Sequence, residues 1–423
     1  MHSFRSTTRP IVPLALVVAA LAPVSTLSAA ELFLLGAVPY SYAESVSDDG
    51  RVVGGHDPQS YWYWTRETGV VQLIGTTIPP GNGVGGQANV SADGRYLSVS
   101  TLQGDPQKAE GTVYDIEFTK FAPIGNDGFY CDIERNSIWG MSRDKRFTCG
   151  LMEQAQCNAI GFVRDETTGE RRNLGTLYFY KPSRANAVSD DGSLVCGWND
   201  DYVGFRQGAV WVRNTSGTYV QTNIAAGAVK MSEAGVVSGN GQWAYGIGRS
   251  SYNSGVVWRW SQATGLQPLG TSPVPGANGY PVAVNEDGSK VLCFFGVLGG
   301  SGSFLWSQEE GYVSVAELAS RAGVEIPKGW SLNLVLGMSP DAKTIVGTAF
   351  GPPPLMSPFV LDLRTAAKPC PADLNGDGEV GAADISILLS SWGSIGGTAD
   401  IDGDGSVGAP DIAVLLSAWG ACP

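Results

Sequence analysis

Seven times along this chain a serine or asparagine enters a short polar turn, and an alternating apolar run leaves it. The copies are "SVSDDGRVVGG", "NVSADGRYLSV", "GMSRDKRFTCG", "AVSDDGSLVCG", "VVSGNGQWAYG", "AVNEDGSKVLC" and "GMSPDAKTIVG". With Ser47, Ser91, Ser142, Ser189, Ser238, Asn285 and Ser339 as markers, successive spacings are 44, 51, 47, 49, 47 and 54 residues. Periods of this size belong to propellers and solenoids, whose single units cannot bury an apolar face alone and must stack on neighbours.

Each unit predicts four strands. The first enters a turn such as "SDDG", whose Gly takes a φ > 0 position, and the second leaves it. The third carries aromatics, as in "YWYW", "AVWVRN" and "VVWRW", and the fourth ends near Leu-Gly, as in "GVVQLIG" and "GLQPLG". Four short strands repeated radially make the blades of a β-propeller. First, second and third strands each occur seven times, but only six fourth strands lie among the repeats. The missing one is "LFLLG", Leu32 to Gly36, expected to close the ring beside "PFVLDL" and leave no unpaired edge. The fold class expected is mainly β: a seven-bladed β-propeller over 31–366, then a small α-helical calcium module over 370–423.

That module rests on two loops 27 residues apart, "DLNGDGEVGAAD" and "DIDGDGSVGAPD". Oxygen donors recur at alternate positions: Asp373, Asn375 and Asp377 in one loop, Asp400, Asp402 and Asp404 in the other. Gly378 and Gly405 permit the sharp turn, Glu379 and Ser406 offer backbone carbonyls, and Asp384 and Asp411 close the loops. This is the spacing by which one loop wraps Ca²⁺, so two calcium ions are expected. Ile385, Leu388, Leu389 and Trp392 follow the first loop at helical spacing, and Ile412, Leu415, Leu416 and Trp419 repeat it. No comparable helix precedes either loop, which separates the unit from an ordinary EF-hand pair.

A duplicated loop with a single following helix resembles a type I dockerin, over about Cys370 to Cys422. The resemblance implies an EF-hand-type calcium module that docks onto a cohesin domain of a scaffold or cell-surface protein. Where dockerins carry Ser/Thr contacts to cohesin, this chain has Ala382 and Ala383, then Ala409 and Pro410. Across roughly Glu31 to Arg364, the phrase "NLGTLYFYKPSRANAVSDDGSLVCGW" resembles the extracellular HAF-repeat family. That resemblance implies a secreted propeller-like repeat and no particular reaction.

The first thirty residues read as a signal peptide. Arg5 and Arg9 precede the apolar run "IVPLALVVAALAPV", and "SAA" before Glu31 offers a cleavage site. Secretion to the exterior or cell surface is therefore expected, with no later stretch apolar enough to span a bilayer. The formal charge is −13, and removing Arg5 and Arg9 leaves 25 basic against 40 acidic residues, or −15. That balance disfavours nucleic acid and anionic lipid as partners.

Candidate sites in the propeller are few. The turn aspartates Asp49, Asp93, Asp191 and Asp287 are explained by turn chemistry. The tryptophans Trp62, Trp64, Trp211, Trp258, Trp260 and Trp306 are expected in the core. Cys149, Cys196 and Cys293 fall at one equivalent place in the second strand and read as buried thiols. Cys131–Cys157 and Cys370–Cys422 are candidate disulfides. His56 is the one histidine of the mature chain, with no nucleophile-elbow sequence beside it. Paired carboxylates for glycoside hydrolysis can hide in the loops holding Asp132, Glu134, Asp200 and Asp201. The function expected is a secreted, non-catalytic binding module docked through its tail, with polysaccharide a possible ligand. The alternatives are a propeller glycoside hydrolase or lyase in extracellular polysaccharide breakdown, and a structural spacer.

Overall fold

The computed structural model describes residues 30–36, 40–78, 86–104, 106–125, 134–226, 229–230, 232–248, 256–296, 302–364, 371–375 and 379–421. Two compact units emerge, Ala29–Thr365 and one containing Ala366–Pro423.

The larger unit is a seven-bladed β-propeller. Six blades follow the chain in simple up-and-down order, and the seventh is closed from the other end of the unit. There Glu31–Leu34 lies antiparallel to Met356–Asp362, pairing Glu31 with Asp362 and Leu34 with Phe359. The closing strand inferred from the strand count is thus in place. Blade two departs from that count. Its first strand shrinks to one bridge, Val90 to Leu97, because hydroxyls take over the backbone. Ser45 Oγ donates to Ala88 O at 2.6 Å and accepts from Val90 N at 2.8 Å, and Ser98 Oγ accepts from Asn89 N.

The repeated motif builds one turn seven times. In the first copy Ser47 Oγ donates to Asp49 Oδ1 at 2.7 Å, Asp49 Oδ1 accepts from Arg51 N, and Ser47 Oγ accepts from Val52 N. Ser339 and Asp341 repeat the pattern. The residue after the aspartate takes φ near +70°, normally a glycine, but Lys145 (φ 62°) and Ala342 (φ 56°) stand there in two copies.

A second regularity was not expected from the sequence. In six blades the ladder between first and second strands slips by one residue, so Glu44, Trp139, Asn186, Gly235, Val282 and Leu336 each bulge out of the pairing. Opposite the bulge the second strand often carries glycine. A Cβ on Gly197 would stand 1.9 Å from Arg184 O, which explains why "VCG" ends as it does.

Trp62, Trp211 and Trp258 are wholly buried and Trp260 half-buried, as core packing requires. Cys149, Cys196 and Cys293 are buried and free, and burial pushes each thiol well above its ordinary pKa. Cys157 is disulfide-bonded; Cys131, Cys370 and Cys422 lie outside the described residues. One propeller helix, Val315–Arg321, was also not expected. Its signal stands in the sequence as "SVAE", for Ser314 caps it by accepting from Glu317 N at 3.1 Å.

In the C-terminal unit two helices, Ala382–Ser390 and Ala409–Ser417, pack on a core that repeats itself. Ala372, Val380 and Leu388 are buried with Ala399, Val407 and Leu415, each 27 residues on. The halves also exchange backbone bonds. Val380 pairs with Gly420, just past the second helix. Val407 bonds Gly393 and Ser394, just past the first.

Candidate functional site

The C-terminal loops are built from their closing carboxylates outward. Asp384 sits at the third position of the first tail helix, wholly buried, and accepts from Gly381 N, Leu374 N and Asn375 N at 2.8, 2.8 and 3.1 Å. Asp411 repeats this with Gly408 N, Ile401 N and Asp402 N at 2.7, 2.6 and 3.1 Å. Burial opposes ionisation of Asp384, but its three N–H donors prevail and hold the carboxyl below its ordinary pKa. The Gly408 N–H leads the same effect at Asp411.

In the second loop the carboxylate oxygens of Asp400, Asp402 and Asp411 lie within 4.8 Å of one another. Asp400 Oδ2 accepts from Gly405 N at 3.0 Å, whereas Asp400 Oδ1 is buried with no hydrogen-bond partner. A buried, unsatisfied carboxylate oxygen in an all-oxygen cluster fits a hard cation such as Ca²⁺. Asp404 is not gathered in; its Oδ1 accepts from Ser406 N and Ser406 Oγ. In the first loop Asp373, Asn375, Glu379 and Asp384 are described, while Asp377 lies outside the described residues.

The propeller has its own candidate site, at the mouth where the strand-four-to-one and two-to-three connections emerge. The bulged residues of six blades line a space of about 270 Å³ at this mouth and also a central cavity of about 170 Å³ that runs on to the strand-one-to-two turns. Bulges commonly re-aim side chains beside functional sites. One side of this mouth is polar. Arg184, almost wholly buried, donates to Asn186 Oδ1 at 2.8 Å and Glu233 Oε1 at 2.7 Å. Arg206 holds the other Glu233 oxygen at 2.8 Å. The two guanidiniums interleave with indoles: Arg184 lies 3.6 Å from the Trp139 ring centre, and Arg206 lies 4.4 Å from that of Trp198. On blade one, Glu44 Oε2 accepts from Ala88 N and faces His56 Nδ1 at 3.3 Å. The opposite side is apolar, with Val282, Phe294 and Leu336.

The expected carboxylates of this face are mostly committed. Asp201 Oδ1 accepts from Val203 N and Phe205 N, closing its own turn. Glu134 is buried, Asp200 ends the strand Leu194–Asp200, and Asp132 lies outside the described residues. Glu233 is engaged by two guanidiniums and the Asn186 amide.

Solved structures resemble this chain in fold. One is an oligogalacturonate lyase in complex with manganese, 15% identical, covering 79% of this chain and 93% of that chain at a TM-score of 0.50. A second is an oligogalacturonate lyase from Vibrio parahaemolyticus, 14% identical over 80% and 94% at 0.49. A third is the β-propeller domain of the Trilobed protease from Pyrococcus furiosus, 11% identical over 78% and 100% at 0.47. At such identities the likeness is one of propeller architecture alone. No family model and no curated protein matches the sequence.

Sequence reasoning missed Trp139, Arg184, Asn186 and Glu233. Their signal is weak, because a bulge leaves no mark on composition. It did reach the neighbouring loops, through Glu134, Asp200 and Asp201. No helix among the described residues is long and apolar enough to cross a membrane.

Proposed function

We propose that this is an exported calcium-binding protein that docks through a dockerin-like C-terminal unit onto a cohesin-like domain of a scaffold or cell surface. Its propeller, of the HAF-repeat kind, presents a binding face there. The observation that carries the reading is Asp400 Oδ1, a buried carboxylate oxygen left without a partner beside Asp402 and Asp411. Bound Ca²⁺ would supply the charge that offsets these clustered carboxylates. Asp373, Asn375, Asp377, Asp384, Asp400, Asp402 and Asp411 would hold two such ions with side-chain oxygens, and Glu379 and Ser406 would add carbonyls. Asp384 and Asp411 do a second job, since each ties its loop to the start of its helix.

The docking surface follows from what the tail core leaves uncovered. Leu388 and Leu415 are buried, while their neighbours Leu389 and Trp392, and Leu416 and Trp419, remain about half exposed. Exposed paired apolar residues at equivalent places suit a partner surface.

The test uses the full chain. Calcium should make the tail resistant to limited proteolysis, chelator should reverse this, and capture by cohesin domains should need calcium. Equal cleavage with and without calcium would sink the reading. Sugar release from polysaccharide, lost on changing Glu134, Asp200 or Asp201, would move the protein to the hydrolase or lyase class instead.

A further inference from the structure

Five of the seven exposed aromatic rings among the described propeller residues stand together. Tyr178, Phe179 and Tyr180 occupy the connection from Arg171–Gly175 to Ser183–Val188, and Tyr202 and Phe205 occupy that from Leu194–Asp200 to Arg206–Arg213. Phe179 is 80% exposed and Tyr202 69%, so packing does not explain them. The rings touch across the two loops, Tyr178 lying edge-on to Tyr202 with centres 6.2 Å apart, and Phe179 lies 3.9 Å from Tyr180.

The loops are tied down. Leu177 N donates to Asn199 Oδ1 at 3.1 Å, Asp200 N to Pro182 O at 2.9 Å, and Asp201 N to Phe205 O at 2.8 Å. Tyr180 is held at φ 63°, a strained setting for a bulky residue, and it is maintained on an exposed side chain. Both connections emerge on the face of the channel mouth, and Arg184 and Arg206 stand at their edges.

From these rings we propose that the platform binds a polysaccharide, a reading that rests on the propeller being a binding module. The apolar C–H face of a sugar ring stacks on an aromatic face, while its rim of hydroxyls needs polar partners. Rings dominate here and three carry phenolic hydroxyls, in the amphipathic manner of Tyr. The Lys181 ammonium lies between the loops, 4.0 Å from where a Cβ on Gly204 would stand, and offers sugar oxygens a donor. Because the rings are pre-set by backbone bonds, little ordering is lost on binding.

The experiment is affinity electrophoresis of the full chain in calcium buffer against polygalacturonate, alginate, xylan and mixed-linkage β-glucan, with pull-down on cellulose and chitin. Retention on at least one is expected. In the double variant Phe179→Ala/Tyr202→Ala it should weaken about tenfold or more with unchanged melting, since two exposed stacking contacts are lost. Phe118→Ala, an exposed ring elsewhere, should retain wild-type binding, and chelator should not matter. No retention on any of the six, equal retention in the double variant, or a platform that instead mediates self-association in sedimentation would overturn the proposal. Calcium-dependent protection of the tail, read in the same samples, keeps its failure separate from that of the docking reading.

Discussion

Both units repeat an aspartate in a glycine-bearing loop, and they put it to opposite uses. In the propeller turn, Asp49 Oδ1 accepts from a serine hydroxyl and a backbone N–H two residues away on either side. In the tail loop Thr398 stands two residues before Asp400, yet Asp400 Oδ1 remains buried with no hydrogen-bond partner. The same Asp-Gly vocabulary therefore makes a finished turn where the chain supplies the donors. Where no donor reaches the oxygen, it leaves the carboxylate cluster of Asp400, Asp402 and Asp411 that we propose for Ca²⁺. The closures differ as well: the propeller is clasped by one strand drawn from the far end of the unit, the tail by mutual exchange between its halves.

The comparison breaks first at the clasp. Deleting Glu31–Leu34 removes four paired residues and bares an edge of the seventh blade. Aggregation, or a fall of more than about 5 °C in the propeller's melting temperature, is expected; calorimetry showing an unchanged propeller transition would refute the closure.

The paired variants Asp400→Ala and Asp49→Ala come next. Asp400→Ala should weaken calcium binding at the second loop by roughly tenfold or more, as titration calorimetry reads. Asp49→Ala should leave calcium binding intact and cost about 1 kcal/mol of propeller stability. Equal calcium loss in both would erase the distinction.

A third test contrasts carboxyl acidity. Asp190, at the channel's turn end, is pushed up to about 6 by burial, with Glu286 adding to the effect, whereas Asp384 and Asp411 are held low. The unfolded chain releases the Asp190 proton first, so native stability falls as pH rises from about 4 through about 6. Asp190→Asn keeps the oxygen that accepts from Arg143 N. It should raise the melting temperature by a few degrees at pH 8 and hardly at all at pH 4. An equal rise at both would refute the assignment.

The smallest effect concerns turn geometry. Lys145→Gly relieves a left-handed backbone worth about 1–2 kcal/mol and gives up a cation–π contact with Tyr96 worth about 0.5–1 kcal/mol. A net gain of up to about 1 kcal/mol in denaturant unfolding is expected, and a loss would show that the turn already fits lysine.

Repetition made the architecture legible. Seven equivalent turns, five of them Ser-x-Asp, and aromatic third strands counted against six fourth strands, led to the ring and its closing strand. The duplicated tail was legible because its spacing is local, and Asp384 and Asp411, at loop position twelve, are buried at the starts of two equivalent helices. The channel mouth was not. Trp139 and Asn186 face the cavity because a bulge shifts the ladder by one residue, and only the glycine opposite hints at it. The aromatic platform left a partial trace: Tyr202 and Phe205 follow Asp200 and Asp201, whose loop is named for its carboxylates, but "LYFY" entered only as part of the repeat phrase.

The clasp also decides how the molecule bears load. Glu31 pairs with Asp362 and Leu34 with Phe359, so the two ends of the propeller leave from the same edge of the last blade. A pull applied between those ends would open the ladder one pair at a time, like a zip, and the ring would fail at its weakest mode. A molecule held by its tail alone, with its burden on the aromatic face, never stretches that pair of ends against each other. Tethering from one side is thus the arrangement in which a ring fastened by a single strand stays shut under drag.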